Sequence, residues 1–262
     1  MGLLDGKKAL IFGVANDHSI AWGIAKALHD AGATLGFSSV ESLLERRVRP
    51  LAESIGSTFV EACDVSSDEQ IGSVMAKWKA AQGAIDVLVH AVAFAPREDL
   101  EGSFTATTRN GFAVAMDISA YSLVAMCREA NAAGLLHAGS SVLTLSYYGD
   151  EKVVANYNVM GVAKAALEAC VRYLAADLGP TGVRVNAISA GPVRTLSASG
   201  VRDFRKLYGT FASIAPLRSN ISAEDVGKTA LWLASDLSSA VTGETVYVDG
   251  GFNVMGVPLL DE

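Results

Sequence analysis

The stretch Lys8-Ala-Leu-Ile-Phe-Gly-Val-Ala-Asn-Asp-His-Ser-Ile-Ala-Trp-Gly23 joins a short apolar run to a helical pattern through a tight turn. Residues 8–12 predict a buried strand, and the pattern after the turn predicts a helix from about Ser19 to Ala31. Small residues in the turn let backbone amides approach a pyrophosphate, whose negative charge the helix N-terminus favours. The stretch therefore indicates a strand–turn–helix unit able to bind a dinucleotide. Its spacing is not the common G-x-G-x-x-G, and a turn without a ligand would look similar.

The same alternation of short apolar runs and longer helical patterns continues along the chain. Ser66 with Glu69 resembles a capping box, which predicts a helix beginning there. Strands that alternate with helices form parallel sheets covered on both faces. We therefore expect an α/β fold, in which residues 1–262 make a single Rossmann-type doubly wound domain with a seven-stranded parallel sheet. Beyond the first unit, strands are predicted at 34–38, 58–62, 85–90, 141–145, 183–188 and 245–248, and helices at about 43–55, 108–133 and 157–178.

The least regular stretch, residues 190–215, follows the sixth predicted strand. In an open α/β sheet, ligands bind beyond the carboxyl ends of the strands. A long segment at such an end is typical of a lid over a binding site, so we expect a substrate-binding lid here. The alternative is a solvent-exposed loop with a surface helix.

The composition limits the class of protein. The chain has 262 residues, half of them apolar, and a net charge of −7. This charge leaves no basic surplus to neutralise phosphates, which argues against nucleic-acid binding. We see no apolar run long enough to cross a bilayer and no secretory signal, so we expect no membrane partner. Three scattered cysteines without a histidine cluster favour a metal-free protein with reduced thiols, as in the cytoplasm.

The end of the second predicted strand bears on the choice of cofactor. Ser38-Ser39-Val40-Glu41 contains no basic side chain, whereas a 2′-phosphate needs one nearby. The sequence therefore favours NADH over NADPH. After the third strand, Asp64 and Val65 have the position expected to bracket an adenine, although Asp64 could instead cap the next helix.

A tyrosine and a lysine are seven residues apart in Tyr157-Asn-Val-Met-Gly-Val-Ala-Lys164. Seven residues make nearly two helical turns, so both side chains share one face. A phenol can stabilise a developing oxyanion, and an ammonium beside it can hold ribose hydroxyls and lower the phenol pKa. For the pair alone, the alternative is an amphipathic helix whose lysine reaches into solvent. Its place after the fifth strand of a Rossmann-type sheet favours catalysis.

Motifs along the whole chain carry a resemblance to one family. They are Gly13-Val-Ala with Ser19-Ile-Ala, His90 through Phe94-Ala-Pro96, Asp117-Ile-Ser-Ala-Tyr-Ser122, Leu143-Thr-Leu-Ser-Tyr-Tyr148, Asn156-Tyr-Asn-Val-Met-Gly161, Arg184-Val-Asn-Ala-Ile-Ser-Ala-Gly-Pro192 with Arg194-Thr195, and Val248-Asp-Gly-Gly251. Together they resemble the short-chain dehydrogenase/reductases and, within them, the enoyl-acyl-carrier-protein reductases. The resemblance implies an NADH-dependent enzyme that saturates the C=C bond of a trans-2-enoyl-acyl-carrier-protein thioester, the last step of type II fatty-acid elongation.

The resemblance adds Tyr147, ten residues before Tyr157, as a second active-site tyrosine. Carbonyl-reducing relatives place a serine thirteen residues before the catalytic tyrosine, and Thr144 occupies that spacing here. A carbonyl reductase or hydroxyacyl dehydrogenase is therefore the nearest alternative, and a dinucleotide sensor without catalysis is a more distant one. Tyr148 stands beside Tyr147, so either ring is a candidate to face the site.

The resemblance also implies how the site works. Hydride from NADH would reach Cβ, the Tyr157 hydroxyl and a ribose hydroxyl would hold the enolate oxygen, Lys164 would anchor the ribose, and Tyr147 would line the pocket. The implied cofactor-binding residues are Gly13, Ala15, Ser19, Ile20, Asp64, Val65, Ala91, Val92, Lys164, Val193 and Thr195. The implied substrate-binding residues are Ala93, Phe94, Tyr147, Tyr157, Met160, Val201 and Phe204, of which Phe94, Met160, Val201 and Phe204 could equally belong to the core.

Partners follow from the resemblance as well. An acidic enzyme that meets an acidic carrier protein needs a local basic patch. Arg202, Arg205 and Lys206 in the predicted lid would supply it, although they could instead be a solvated charged face. The family also implies a homotetramer, whose interface would use the long helices around Tyr121 and after Tyr157.

Overall fold

The fold is built on a twisted parallel sheet. A computed structural model describes residues 2–196, 198 and 203–257 of the chain. The strands in this part of the chain are β1 (Lys8–Phe12), β2 (Thr34–Ser39), β3 (Phe59–Ala62), β4 (Val87–His90), β5 (Ser141–Ser146), β6 (Arg184–Ala190) and β7 (Thr245–Val248). These seven strands are all parallel and lie in the order β3-β2-β1-β4-β5-β6-β7. The predicted α/β fold with a seven-stranded parallel sheet is confirmed.

Helices cover both faces of the sheet. They are α1 (Ile20–Asp30), α2 (Glu41–Leu43), α3 (Arg49–Ser54), α4 (Asp68–Gln82), α5 (Arg97–Leu100), α6 (Arg109–Met116), α7 (Ser122–Ala132), α8 (Asn158–Leu178), α9 (Phe204–Ile214) and α10 (Ala223–Ala234). The strand order reverses between β1 and β4. At such a switch point, the carboxyl edge of a doubly wound sheet opens a crevice for a ligand.

Each face of the sheet has its own apolar core. On one face, side chains of α1 and α10 such as Ile24, Leu28 and Leu233 are fully buried against β1, β2 and β4. On the other face, α4, α7 and α8 cover the sheet, and the ring of Trp78 meets that of Phe59 edge to face at 5.0 Å. Burial of each large apolar side chain contributes roughly 2 kcal/mol, so the two cores fix the sheet that carries the site.

Two predicted helices contain a π-helical turn. Residues 41–54 run through α2, a π turn at Leu44–Val48 and α3, and the predicted helix 108–133 runs through α6, a π turn at Asp117–Tyr121 and α7. A π turn inserts one residue into the helix and often marks a functional position. The first and last residues of these two helical segments agree closely with the predicted helices, whereas the π turns leave no signal in the apolar pattern.

Two helix starts differ from the prediction. The cap of α4 is Ser67, whose side chain accepts a hydrogen bond from Gln70 N, so the box predicted at Ser66 is wrong by one residue. The hydroxyl of Ser66 instead donates to Asp64 at 2.7 Å. Helix α10, which was not predicted, begins with a complete capping box between Ser222 and Asp225.

The segment Arg109–Ala132 is long and apolar enough, by length and composition alone, to cross a bilayer. The prediction that no run has this length is therefore wrong on that measure. Half of the most apolar part of this segment is buried inside the protein, and the core helix of a globular fold can have the same length and composition. The segment packs against α4 and α8 on the sheet, which accounts for its apolar side.

Candidate active site

Most of the predicted site residues gather at the carboxyl edge of the central strands. Tyr147 directly follows β5, Ala91 follows β4, and Gly13 follows β1. Tyr157 and Lys164 approach the same edge from α8, which packs beside β5 and β6. The sheet topology therefore brings together groups that are far apart in the sequence.

Tyr157 lies at the N-terminus of α8 rather than inside the helix. It is the N-cap residue, and both neighbours adopt the left-handed backbone region, with φ of 60° at Asn156 and 36° at Asn158. Left-handed residues other than glycine store strain and cluster at functional sites. A Cβ added at Gly161 would lie 2.5 Å from the carbonyl oxygen of Gly149, so this glycine lets α8 approach the turn after β5. Tyr157 is thereby held at the sheet edge.

Tyr147 is the ring that faces Tyr157. Their ring centroids are 4.7 Å apart with planes at 64°, an edge-to-face contact. Tyr148 is buried and instead meets the ring of Phe252 edge to face at 5.5 Å. The two candidate tyrosines are thus distinguished by their contacts, because only Tyr147 meets the ring of Tyr157.

Burial controls the ionisation of the three central groups. It raises the pKa of Tyr147, and burial together with the neighbouring Tyr147 and Asp150 raises the pKa of Tyr157. Both side chains are therefore neutral phenols at physiological pH, which is opposite to the lowered phenol pKa expected from Lys164. Burial also lowers the pKa of Lys164 to about 8, while Glu168 and Asp150 act in the opposite direction. Its ammonium donates to the carbonyl oxygen of Leu145 at 2.7 Å.

Thr144, which has the spacing of a catalytic serine, is engaged elsewhere. Its hydroxyl donates to the carbonyl oxygen of His90 at 3.2 Å and lies 2.8 Å from His90 Nδ1. His90 Nε2 lies 2.7 Å from the hydroxyl of Ser122, and all three side chains are fully buried. Burial, with a contribution from Lys164, lowers the pKa of His90 to about 3, so the imidazole is neutral.

The turn between β1 and α1 has the features of an anion site. Gly13 has φ of 99°, and a Cβ there would lie 2.1 Å from the carbonyl oxygen of Ala91, so the turn requires glycine. Ser19 is the N-cap residue of α1 but makes no capping bond, because its hydroxyl donates to Asn16 O at 2.6 Å. The first turn of α1 is therefore open to a negatively charged group.

Residues after β2 and β3 flank the predicted adenine side. Asp64 is exposed, and its carboxylate accepts from the backbone and hydroxyl of Ser66, which lowers its pKa. It does not cap α4, so that alternative is wrong. Val65 and Ser38 are both buried. Val40 at the end of β2 is exposed and apolar, as an NADH site would tolerate.

The segment after β4 forms the opposite wall. Phe94 has 53% of its surface exposed, and its backbone N–H and carbonyl oxygen each lie 3.0 Å from the hydroxyl of Ser119. The same hydroxyl lies 3.6 Å from the sulfur of Met160, which is buried. Ser119 belongs to the π turn after α6 and stood in no predicted set of site residues, because its role depends on that turn. Ala93 is exposed beside Phe94.

The predicted lid, residues 190–215, contains helix α9. Its buried ring is Phe211, which stacks on Phe252 at 3.7 Å and lies 6.3 Å from Tyr147. Phe204 contacts Tyr208 instead, at 5.8 Å, and the guanidinium of Arg194 lies 4.5 Å above the Tyr208 ring. Phe211 is one of three aromatic residues on α9, and it stands in none of the predicted sets of site residues.

The remaining predicted residues have these positions. Ala15, Ile20 and Val92 are half-buried around the turn and the β4 end, and Val193 and Thr195 follow β6, where the Thr195 hydroxyl accepts from Ala198 N at 3.1 Å. Arg205 and Lys206 are exposed at the start of α9. Val201 and Arg202 lie outside the described residues. Among the described residues, no cluster of three or more metal-ligating side chains occurs.

Comparison with known proteins gives a consistent result. Residues 13–253 match the model of a family described as enoyl-(acyl carrier protein) reductase. An enoyl-[acyl-carrier-protein] reductase [NADH] of Rhizobium meliloti is 50% identical over 260 residues, which is 99% of this chain and 95% of that protein. The crystal structure of the NADH enoyl-[acyl-carrier-protein] reductase from Aquifex aeolicus is similar with a TM-score of 0.94 at 50% identity, covering 98% of this chain and all of that one. A reductase from Anaplasma phagocytophilum in complex with NAD gives 0.94 at 48% identity, over 99% and 98% of the two chains.

Proposed function

The chain belongs to the enoyl-(acyl carrier protein) reductase family, and we propose that Tyr147, Tyr157 and Lys164 carry out its reaction. The chain is an NADH-dependent oxidoreductase that reduces the C=C bond of a trans-2-enoyl-acyl-carrier-protein thioester, the final step of fatty-acid elongation. The observation that best supports the assignment of residues is the edge-to-face pair of tyrosines at the end of β5 and the start of α8.

The carboxyl edge of the sheet fits a bound NADH. The glycine turn and the open first turn of α1 suit the pyrophosphate. The stretch Ser38-Ser39-Val40-Glu41 at the end of β2 contains no basic side chain, which suits an unphosphorylated ribose. Bound NADH supplies the hydride. The residues that would hold it are Gly13, Ala15, Ser19, Ile20, Asp64, Val65, Ala91, Val92, Lys164, Val193 and Thr195.

The chain's own groups would stabilise the enolate that forms on the thioester. Tyr157 is a neutral phenol, so its hydroxyl can donate a hydrogen bond to the enolate oxygen. An ammonium group has three N–H donors. Lys164 donates one of them to the carbonyl oxygen of Leu145, which leaves two for ribose hydroxyls. The Tyr147 hydroxyl is buried with no hydrogen-bond partner among the described residues, so a thioester would find an unused donor there.

The nearest alternative, a carbonyl reductase, would need a free hydroxyl at the Thr144 position. The Thr144 hydroxyl is buried and bonded to His90, so it is not available to a substrate. Tyr147 instead provides the second hydroxyl beside Tyr157. This arrangement supports reduction of a C=C bond rather than a C=O bond.

The test is to follow NADH absorbance with a crotonyl thioester and with an acetoacetyl thioester. We expect consumption of NADH with the crotonyl substrate and none with the acetoacetyl substrate. Activity on the acetoacetyl substrate alone would indicate a carbonyl reductase. No activity on either substrate, in a protein that still binds NADH, would indicate a dinucleotide sensor without catalysis. Parallel assays with NADPH measure the preference between the two cofactors.

We further propose that residues 1–262 act as one catalytic domain whose lid, residues 190–215, closes over the acyl chain. The position of Phe211 beside Tyr147 supports this, because it carries α9 to the edge of the site. The acyl slot would be lined by Phe94, Met160, Val201 and Phe204, beside Ala93. The exposed Arg205 and Lys206 with Arg202 would form the docking patch for the acidic carrier protein.

The assembly we propose is a homotetramer in the cytoplasm. Exposed apolar or aromatic side chains lie on the two predicted interface helices, namely Phe112 and Tyr121 on the α6–α7 segment and Tyr173 on α8. Side chains of this kind are typical of protein interfaces. Light scattering should give four times the 27.3 kDa chain mass, and a Tyr173→Glu variant should give a smaller species.

A further inference from the structure

Phe252 lies on a short turn just after the last strand of the sheet. Strand β7 ends at Val248, and Phe252 begins the 3₁₀ turn Phe252–Val254. Its ring is stacked on that of Phe211 in α9, with centroids 3.7 Å apart and planes at 15°. This is the closest pair of rings in the described part of the chain. The segment after β7 therefore contacts the predicted lid directly.

The same ring contacts the segment that carries Tyr147. Phe252 meets Tyr148 edge to face at 5.5 Å, and Tyr148 directly follows Tyr147. Phe211 in turn lies 6.3 Å from the Tyr147 ring. Four rings, from the lid, the end of β5 and the turn after β7, thus form one connected cluster. Aromatic pairs in stacked or edge-to-face arrangements attract one another beyond the effect of their burial, so the cluster joins the lid to the site.

The turn that carries Phe252 is held by a single buried carboxylate. Asp249 accepts from the backbone N–H of Gly251 at 2.9 Å and from that of Asn253 at 2.8 Å, one on each side of Phe252. Gly251 has φ of 85°, a left-handed conformation that favours glycine. The backbone at Phe252 is therefore fixed by its own turn and does not depend on the lid.

The chain that leaves α9 is joined to this turn as well. Helix α9 ends at Ile214, and the backbone N–H of Leu217 donates to the carbonyl oxygen of Gly250 at 3.1 Å. A Cβ added at Gly251 would lie 3.0 Å from the ring of Pro216, so the two segments pack closely. The turn after β7 thus holds α9 through the Phe252 side chain and holds the segment after α9 through its backbone.

We propose that Phe252 is a positioning residue of the reductase, which fastens the lid helix α9 over the acyl chain through its stack on Phe211. The inference rests on the proposed function, because it concerns the thioester that the lid would cover. A longer acyl chain places more apolar surface under the lid, so its binding depends more on this contact. Phe252 therefore influences the preference for chain length through α9, without touching the reacting atoms.

The kinetic test measures KM and kcat, with saturating NADH, for a crotonyl and a trans-2-octenoyl thioester. In Phe252→Ala we expect KM for the octenoyl substrate to rise about tenfold or more and KM for the crotonyl substrate to rise less than about threefold. The reason is that each methylene left in water weakens binding roughly fourfold. Equal increases of KM for the two thioesters, or none, would overturn the proposal.

Two further variants separate positioning from a general loss of structure. A protein that is merely less stable would lose kcat on both substrates by the same factor and keep both KM values. Phe252→Tyr, which retains the ring, should restore the native KM values. The matched control is Val254→Ala on the same 3₁₀ turn, where the side chain is exposed, and it should also keep the native values.

Amide hydrogen exchange tests the same contact without reductase activity. In Phe252→Ala, exchange across Phe204–Ile214 should be about tenfold faster or more than in the native protein, with exchange across Lys8–Phe12 in β1 unchanged. Native exchange rates in α9 of this variant would overturn the proposal. Inactivity of the native protein on both thioesters would instead contradict the proposed function. If Phe252→Ala does not fold, Phe252→Leu, which keeps an apolar side chain without the flat ring, replaces it with the same expected directions.

Discussion

Tyr147 meets the ring of Tyr157 edge to face at 4.7 Å, while its own hydroxyl is buried with no hydrogen-bond partner in the described part of the chain. An unpaired buried hydroxyl costs stability. The pair therefore combines a packing contact that fixes the Tyr157 ring with a buried hydroxyl that no described group of the protein engages.

Tyr147→Phe keeps the ring contact and removes the unpaired hydroxyl. We expect the free energy of unfolding without ligand to rise by about 1 kcal/mol, because the desolvation cost disappears. Urea denaturation measures this change, and Tyr148→Phe, whose ring packs on Phe252, is the comparison variant. A clear loss of stability in Tyr147→Phe would show that the hydroxyl already has a partner in the free protein.

NADH binding should depend on the ionisation of Lys164. Its pKa is lowered to about 8 by burial, so the ammonium is present below that pH and is lost as pH rises through it. We expect the Kd for NADH to increase by about tenfold per pH unit above this value, if the charged form alone binds the ribose. Fluorescence titration of NADH measures it. Lys164→Arg, which remains charged, should remove the pH dependence, and a flat native profile up to about pH 10 would contradict the assignment.

The aromatic anchor of α9 should be Phe211 rather than Phe204. Phe211 is 3% exposed and stacked on Phe252, whereas Phe204 is only half-buried. Phe211→Ala should lower the free energy of unfolding by about 3 kcal/mol, and Phe204→Ala by less than about 1 kcal/mol. Denaturant titrations of the two variants measure these changes in the free energy of unfolding. Similar decreases for both variants would show that α9 is not anchored mainly by Phe211.

Charge reversal in the lid should affect the carrier-linked substrate alone. Replacing Arg202, Arg205 and Lys206 together by Glu should raise KM for an enoyl-carrier-protein about tenfold or more, since it repels an acidic partner. KM for the coenzyme A thioester should stay the same. Lys26→Glu, which reverses an exposed charge on α1 outside the lid, serves as the control. Equal losses on the two substrates would place the effect in the site and not in docking.

Much of the fold follows from local sequence patterns. Parallel strands buried on both faces read as continuous apolar runs, so all seven strands of the described sheet were predicted to within two residues of an end. Helix α10 lies outside the predicted elements, although Ser222 and Asp225 have the spacing of the capping box with which it begins. The π turns at 44–48 and 117–121 leave no signal in the apolar pattern, and the second one carries Ser119, whose hydroxyl bonds the backbone of Phe94, 25 residues away.

Candidate site residues are predictable from the sequence where chemistry fixes residue types, and not where packing selects them. Tyr157 and Lys164 follow from spacing and Tyr147 from the family resemblance. Ser119 and Phe211 act through contacts with Phe94 and Phe252 that are distant in the sequence. The protonation states could not be predicted either, since the burial that shifts the pKa of Tyr157 and of Lys164 arises only in the folded chain.

The most direct test of the central claim uses NADH deuterated at its reactive nicotinamide carbon, with mass spectrometry of the product from crotonyl thioester. We predict a saturated product with one deuterium at Cβ. Tyr157→Phe should slow its formation about 100- to 1000-fold, as for other removed oxyanion donors, while still binding NADH. Deuterium at the carbonyl carbon of an acetoacetyl substrate, with no saturated product from crotonyl thioester, would contradict the account.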